Sequence, residues 1–380
     1  MKNNVIFNID QSLIDLFLRD IYKDIRRIEV IKIDNNTVLR RYSDGVVSIS
    51  DEVEFLNKLN FCKDKNWLIP PILNITDDYI DFKYIRGIRL FNFLIELRYL
   101  FLVEHSKKAL YVSEIIKDIT IKNLENFQNL TSNFDLSRYS EYPVVEKLLS
   151  PITLLCDSSS FDYNLDEVKS DLSIISKYYK SISTTLFRDA TPKNIIFDEP
   201  LLYYDNFIDD TDRRIKIRSL VNSDYFDEKL LSENLYHIDF TGCNYKCPKV
   251  DDFIAANLHE CNIWIPSSQF FYNENINNTD FLVTIFVRYL RFGGRKLCYR
   301  IYNSIGHKIR FRFDYEKIYF EQLSFVTDKL IKELGIKGSE LKKIFDYMSF
   351  LSDLTIDIDY LSLFFDNSDV KYYSGLFPDK

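Results

Sequence analysis

The sequence predicts an α+β fold in two unequal parts, a small β-rich N-terminal lobe over residues 1–86 and a large, mainly helical C-terminal lobe over residues 87–380. Three observations predict it. The chain has 380 residues, more than one hydrophobic core usually organises. Its first part holds two pairs of β-rich runs divided by turn residues. From residue 91 onward, apolar residues recur at helical spacing, except near 186–240. Apolar residues make up 46 % of the chain and aromatic residues 16 %, which supplies sizeable cores and argues against general disorder.

The elements follow in order. Residues 11–25, QSLIDLFLRDIYKDI, carry a helical apolar stripe. RRIEVIKI and TVLRRYS flank Asn35-Asn36 and read as a hairpin. DEVEFLNKLNF reads as a helix capped by Ser50 or Asp51. WLIPPILNI and DDYIDFKYI are two further strands, divided at Asp77-Asp78. Gly87 breaks the pattern before the helical LFNFLIELRYLFLVEH. Short strands flank a polar loop at 186–197 and end at LYHIDF, so the loop is expected at the mouth of a small hairpin. Residues 200–234 form a charged, turn-rich insertion, placed over the cleft by its position in the chain. FLVTIFVRYLRF, FEQLSFVTDKLIKEL and SELKKIFDYMSFLSDL then resume the helical pattern. RYLRFGGRK, with Arg291, Arg295 and Lys296, reads as a basic helix–helix turn, either simply solvated or in contact with an anionic substrate group.

Net charge is −8, which does not suit nucleic-acid binding, because phosphate contacts need a positive surface. It is a soluble acidic surface tolerant of cationic small molecules. MKNNVIFNID lacks the basic-then-apolar pattern of a secretory signal, and no apolar run reaches the ~20 residues of a membrane span. Six Cys without a disulfide framework suggest a reducing, cytoplasmic setting. Cys243, Cys247, His259 and Cys261 have the residue types of a zinc site but not its spacing, and LHECNIWI reads as a buried helix.

The stretch TTLFRDATPKNIIFDE places Asp189 and Asn194 between apolar segments, with Pro192 stiffening the loop. Phosphoryl transfer needs a carboxylate to orient a hydroxyl, oxygen ligands for Mg2+, and a cation on the phosphates. Asp189 suits the first task and Asn194 the second. Asp239, in YHIDFTG, supplies a further metal carboxylate.

At these residues the chain resembles the aminoglycoside-phosphotransferase and choline-kinase family, within the bilobal protein-kinase-like fold. FRDATPKN keeps Asp189, Pro192 and Asn194 of the family's catalytic loop, and Ile238-Asp239-Phe240 matches its metal motif, 238–240. Asp252-Phe253-Ile254-Ala255 parallels a later element whose Asp ties down the catalytic loop, with Arg188 as a second support. TVLRRYS resembles the strand bearing the phosphate-binding Lys, with Arg40 in its place; Arg41 is the adjacent rival, and strand alternation sends the two to opposite faces. DEVEFLNKL resembles the helix whose Glu steadies that cation, with Glu52 the best fit and Glu54 second. YIDFKYIRGIRL resembles the hinge, where backbone near Lys83 to Ile85 would meet adenine.

The resemblance implies an ATP- and Mg2+-dependent O-phosphotransferase acting on a hydroxyl of a small molecule of the aminoglycoside, amino-alcohol or sugar type. Asp239 is followed by no Ala-Pro-Glu-like end of the kind that protein substrates use. Three departures stand out: no Gly before Gly45 to form a phosphate loop, Phe187 in place of a His, and Arg for Lys. They keep open a pseudokinase or binding scaffold of the same fold, a protein-modifying nucleotide transferase, and an unrelated helical binding protein.

Overall fold

The computed structural model describes residues 28–33, 36–42, 53–57, 68–102, 104–132, 134–186, 191–203, 210–223, 228–238, 245–257, 278–304 and 317–354. The helix expected over 11–25, residues Glu52, Arg188, Asp189 and Asp239, and all of LHECNIWI lie outside them.

β1 (Ile28–Ile33) and β2 (Asn36–Tyr42) form the hairpin expected around the paired Asn residues, with Ile33 opposite Asn36. β3 (Ile72–Ile75) and β4 (Tyr79–Lys83) form the second. Its turn is held by Thr76, whose hydroxyl accepts from the amides of Asp78 at 3.2 Å and Tyr79 at 3.0 Å. Antiparallel pairing of β2 with β4 makes one four-stranded sheet, ordered β1-β2-β4-β3. One face is apolar: Leu39, Ile72, Ile80 and Phe82 pack with Phe55 and Leu56 of the helical stretch 53–57.

Beyond the sheet the chain is mainly helical, so the α+β arrangement of a small antiparallel sheet and a large helical part is the one expected. β5 (Ile88–Arg89) leads into α1 (Leu90–Leu102). α2 (Lys107–Thr131) starts at Ser106, whose hydroxyl accepts from the Ala109 amide at 3.2 Å. Phe127 and Leu130 of α2 reach the apolar face of the sheet, joining the two parts. α3 (Val144–Ser158) and α4 (Leu165–Ser181) share the largest core with three later helices: α8 (Thr279–Ser304), α9 (Lys317–Leu334) and α10 (Ser339–Leu354). No helix among the described residues is long and apolar enough to cross a membrane.

Two expectations are corrected. The 200–234 insertion contains two helices, α5 (Asp210–Asn222) and α6 (Glu228–Asn234). Ile217, Leu220, Val221 and Leu231 bury against α1 and α2 rather than forming turns. Arg214 reaches Glu96 of α1 at 3.3 Å, and the Lys108 ammonium donates to the Ser223 carbonyl at 2.7 Å. Likewise RYLRFGGRK is no turn but the interior of α8. Its glycines are contact points: a Cβ on Gly294 would stand 2.9 Å from Pro151 Cβ, and one on Gly293 3.1 Å from Tyr319 Cβ. The missing side chains let α3 and α9 approach α8.

Candidate active site

The loop that carries Asp189 joins two different sheets, not the arms of one hairpin. β7 (Ser183–Leu186) pairs with β10 (Tyr245–Pro248), and β10 also pairs with β6 (Ser140–Glu141). β8 (Ile195–Phe197) instead lies between β5 and β9 (Leu235–His237). The polar loop is therefore a crossing point between sheets, and its two ends are fixed independently.

At the later end, Pro192–Asn194 form one turn of 3-10 helix, with the Asn194 amide donating to the Thr191 carbonyl at 2.8 Å. Pro192 is buried, as suits a fixed-φ residue opening a helical turn. The Asn194 carbonyl then accepts from the Ile238 amide at 2.8 Å. Ile238 is the residue before Asp239, so one peptide unit separates this bond from the carboxylate's own Cα. At the earlier end, Leu186 lies opposite Lys246 in the β7–β10 register. The described residues that flank 187–190 and 239–244 in the sequence are thus joined twice, by the 194–238 bond and by the 186–246 pairing. Beside them the Lys193 ammonium sits 4.4 Å from the centre of the Phe91 ring of α1.

The sheet separates the two arginines as alternation requires. Arg40 shares a face with Asp81, its direct cross-strand partner, and its fork is bidentate on that carboxylate at 2.8 and 2.9 Å. Its guanidinium also lies 3.7 Å from the centre of the Tyr79 ring. This bond to Asp81, before all other causes, raises the Arg40 pKa. Arg41 is buried on the opposite face, opposite Ile80. That face packs against 53–57 and against Leu186, the residue that leads into the Asp189 segment. Asp81 was missed in the sequence because it comes from the nonlocal β2–β4 pairing; the β1–β2 hairpin register puts Glu29 opposite Arg40.

At the hinge, the Lys83 amide donates to the Pro71 carbonyl at 2.8 Å and the Tyr84 amide to the Thr37 carbonyl at 3.3 Å. Lys83 itself is exposed and Ile85 is buried. Of the three hinge amides, only that of Ile85 has no intrachain acceptor among the described residues. Gly87 follows, where a Cβ would fall 1.9 Å from the Phe197 carbonyl oxygen, so only glycine lets the hinge lie on the end of β8.

α7 (Lys249–Asn257) lies just after β10 and holds Asp252, fully buried, in its first turn. Gln128 of α2 donates to the Lys249 carbonyl, and Phe253 packs on Leu124, so α2 and α7 are locked together. Asp251 pairs with Arg288 of α8. Among the described residues no group of three or more His, Cys, Asp or Glu is placed to hold a metal; Cys247 is a buried free thiol.

No family model and no curated protein matches the chain. Three solved structures to which it is similar are aminoglycoside phosphotransferases. One is aminoglycoside phosphotransferase APH(2'')-Ib bound to ADP, 16 % identical, covering 92 % of this chain and 100 % of that one, at a TM-score of 0.38. A second is the gentamicin complex of APH(2'')-IIa, 16 % identical, covering 86 % of this chain and 97 % of that one, at 0.38. The third is the streptomycin and ATP ternary complex of APH(2'')-IIa, 17 % identical over the same shares, at 0.35. Likeness this loose assigns neither activity nor substrate, which rest on the chain's own residues.

Proposed function

We propose that this protein is a phosphotransferase that moves the γ-phosphate of ATP to a hydroxyl of a small molecule, with Mg2+ held between Asn194 and Asp239. The observation that carries the reading is the 2.8 Å hydrogen bond from the Ile238 amide to the Asn194 backbone carbonyl, which ties the residue before Asp239 to the residue whose side-chain amide would share the ion. A side-chain amide and a carboxylate are hard oxygen donors of the kind Mg2+ prefers, so the residues suit the ion. When bound, it would neutralise charge on the phosphates.

The chain's own groups do the rest. Asp189, five residues before Asn194, orients the acceptor hydroxyl and takes its proton. Arg188 and Asp252 steady the loop. The phosphate cation is reassigned from Arg40 to Arg41: Arg40 is committed to Asp81, while Arg41 shares the face that meets Leu186. Glu52 would steady Arg41, one residue before the described helical stretch. The Ile85 amide meets the adenine edge, because Lys83 and Tyr84 already spend theirs. The setting is cytoplasmic.

The test is γ-phosphate transfer from labelled ATP to a panel of small hydroxyl compounds. Product from the wild type and none from Asp189→Ala, with ATP affinity retained in the variant, supports the reading. ATP binding without product from any acceptor would favour the pseudokinase, in line with the absent glycine loop.

A further inference from the structure

One three-stranded sheet, ordered β5-β8-β9, ties the hinge to the chain around Asn194 and to the residues that lead to Asp239. β5 leaves the hinge with Ile88 opposite Phe197 and Arg89 opposite Ile196. β8 begins directly after Asn194, and β9 ends at His237, two residues before Asp239. These rungs fix the main chain at Asn194. They leave the direction of its side chain to the Pro192–Asn194 turn, which stands outside the ladder.

Thr191, which opens that turn, makes no side-chain capping bond. The turn instead packs beside α1 and β5, and the Lys193 ammonium faces the Phe91 ring of α1 at 4.4 Å from its centre. Lys193 and Phe91 are both half-buried, which strengthens a cation on an aromatic face relative to an open surface. α1 presents Phe91 from a fixed base. Leu90, Phe93 and Leu94 are fully buried with Ile195 and Phe197 of β8, and the Phe93 and Phe197 rings meet edge-on with centroids 5.2 Å apart.

A 3-10 turn has three residues per turn, so neighbouring side chains leave its axis about 120° apart. Fixing where Lys193 points therefore fixes where Asn194 points, and Pro192 removes the φ freedom that would let the turn rotate between them and the ladder. We propose that Phe91 is a positioning residue: by holding Lys193 on its face it sets the turn that aims the Asn194 side-chain amide at the ion. The ion's part in this rests on the phosphotransferase reading; the clamp itself rests on the contact between α1 and the turn.

The experiment has two arms. ATP is titrated into wild type, Phe91→Leu, Phe91→Tyr, Lys193→Met and Lys193→Arg, each with Mg2+ and with a chelator. In nucleotide-free protein carrying isotope-labelled asparagine, the side-chain amide resonance of Asn194 is followed by NMR, identified by its loss in Asn194→Ala. Phe91→Leu and Lys193→Met are expected to cut the tightening that Mg2+ gives ATP by about fivefold or more, within the range of a partly desolvated cation–aromatic contact. They should shift the Asn194 resonance while Tm and the chelator arm stay near wild type. Phe91→Tyr keeps the ring face and Lys193→Arg keeps the cation, so both should retain the wild-type pattern. Lys193→Met leaves the packing of Phe91 in place, so it decides the matter even if Phe91→Leu folds poorly. An unmoved Asn194 resonance in Lys193→Met, or a loss of ATP affinity that is equal with and without Mg2+, would overturn the clamp. A wild type that gains nothing from Mg2+ would instead count against the phosphotransferase reading, and the nucleotide-free resonance would still decide the clamp.

Discussion

The amide of Ile238 donates to the carbonyl of Asn194 across 2.8 Å, joining the turn after the Asp189 segment to the residue before Asp239. The bond extends the β8–β9 ladder, in which Ile195 lies opposite His237, by one further rung. It is a backbone contact, so it holds whatever the side chains do. Asn194 and Ile238, 44 positions apart in the sequence, are thereby paired across the ladder.

The adjacent arginines of β2 separate two tasks that sequence alone leaves superposed. Arg41→Gln is expected to weaken ATP binding by about tenfold or more, as for loss of a charge-assisted phosphate contact. Arg40→Gln is expected to leave that binding intact. It strands Asp81, which is 1 % exposed, and lowers Tm while nucleotide affinity stays near wild type. Titration calorimetry and thermal melts on the two variants check both halves; the opposite pairing of effects would return the phosphate role to Arg40.

Gly294 gives a test by sign. Alanine at an open helical position gains about 0.5–1 kcal/mol over glycine. Here the new Cβ would stand 2.9 Å from Pro151 Cβ and 3.1 Å from its Cγ, and a proline ring cannot swing aside. Gly294→Ala should therefore destabilise by roughly 1–3 kcal/mol, the usual cost of overpacking. Denaturant unfolding measures it, and a stabilised variant would show that α8 and α3 do not pack so closely.

Glu167 supplies a pH dependence. Its carboxyl is held below the ordinary carboxylate range, first by the Ser339 hydroxyl, then by the Glu340 amide and by Lys337. A depressed folded-state pKa stabilises fully above the unfolded value and fades as pH falls through the folded one. Ser339→Ala should lower Tm at neutral pH, and the gap to wild type should narrow below about pH 4, where the unfolded carboxyl already holds its proton. Melts across that range measure the gap; one that widened in acid would contradict the assignment.

The sequence carried the regular elements well. Both N-terminal hairpins, α1 and the late helices follow from periodicity, turn residues and Gly87, because each is a local property. What local reasoning missed was nonlocal. β7 and β8 look like hairpin arms because they flank one polar loop, yet their partners, β10 and β5 with β9, come from distant segments. RYLRFGGRK looks like a turn because glycine usually breaks a helix, yet these two make room for Pro151 and Tyr319. In the insertion, Asp210–Arg218 hides a helix under charge, although Ile217, Leu220 and Val221 already stand at helical spacing. At the site, motif order points to Asn194 and Asp239 but not to what pairs with them, and the Arg40–Asp81 pair comes from the nonlocal β2–β4 register, which no local pattern carries.

The central claim is that Asn194 and Asp239 share one ion on a bound nucleotide. Titration of ATP into wild type, Asn194→Ala and Asp239→Ala, each with Mg2+ and with a chelator, tests it most directly. The account predicts that Mg2+ tightens ATP binding to the wild type and that neither variant gains from the ion. Equal binding with and without Mg2+ in the wild type, or an undiminished magnesium effect in Asp239→Ala, would contradict it.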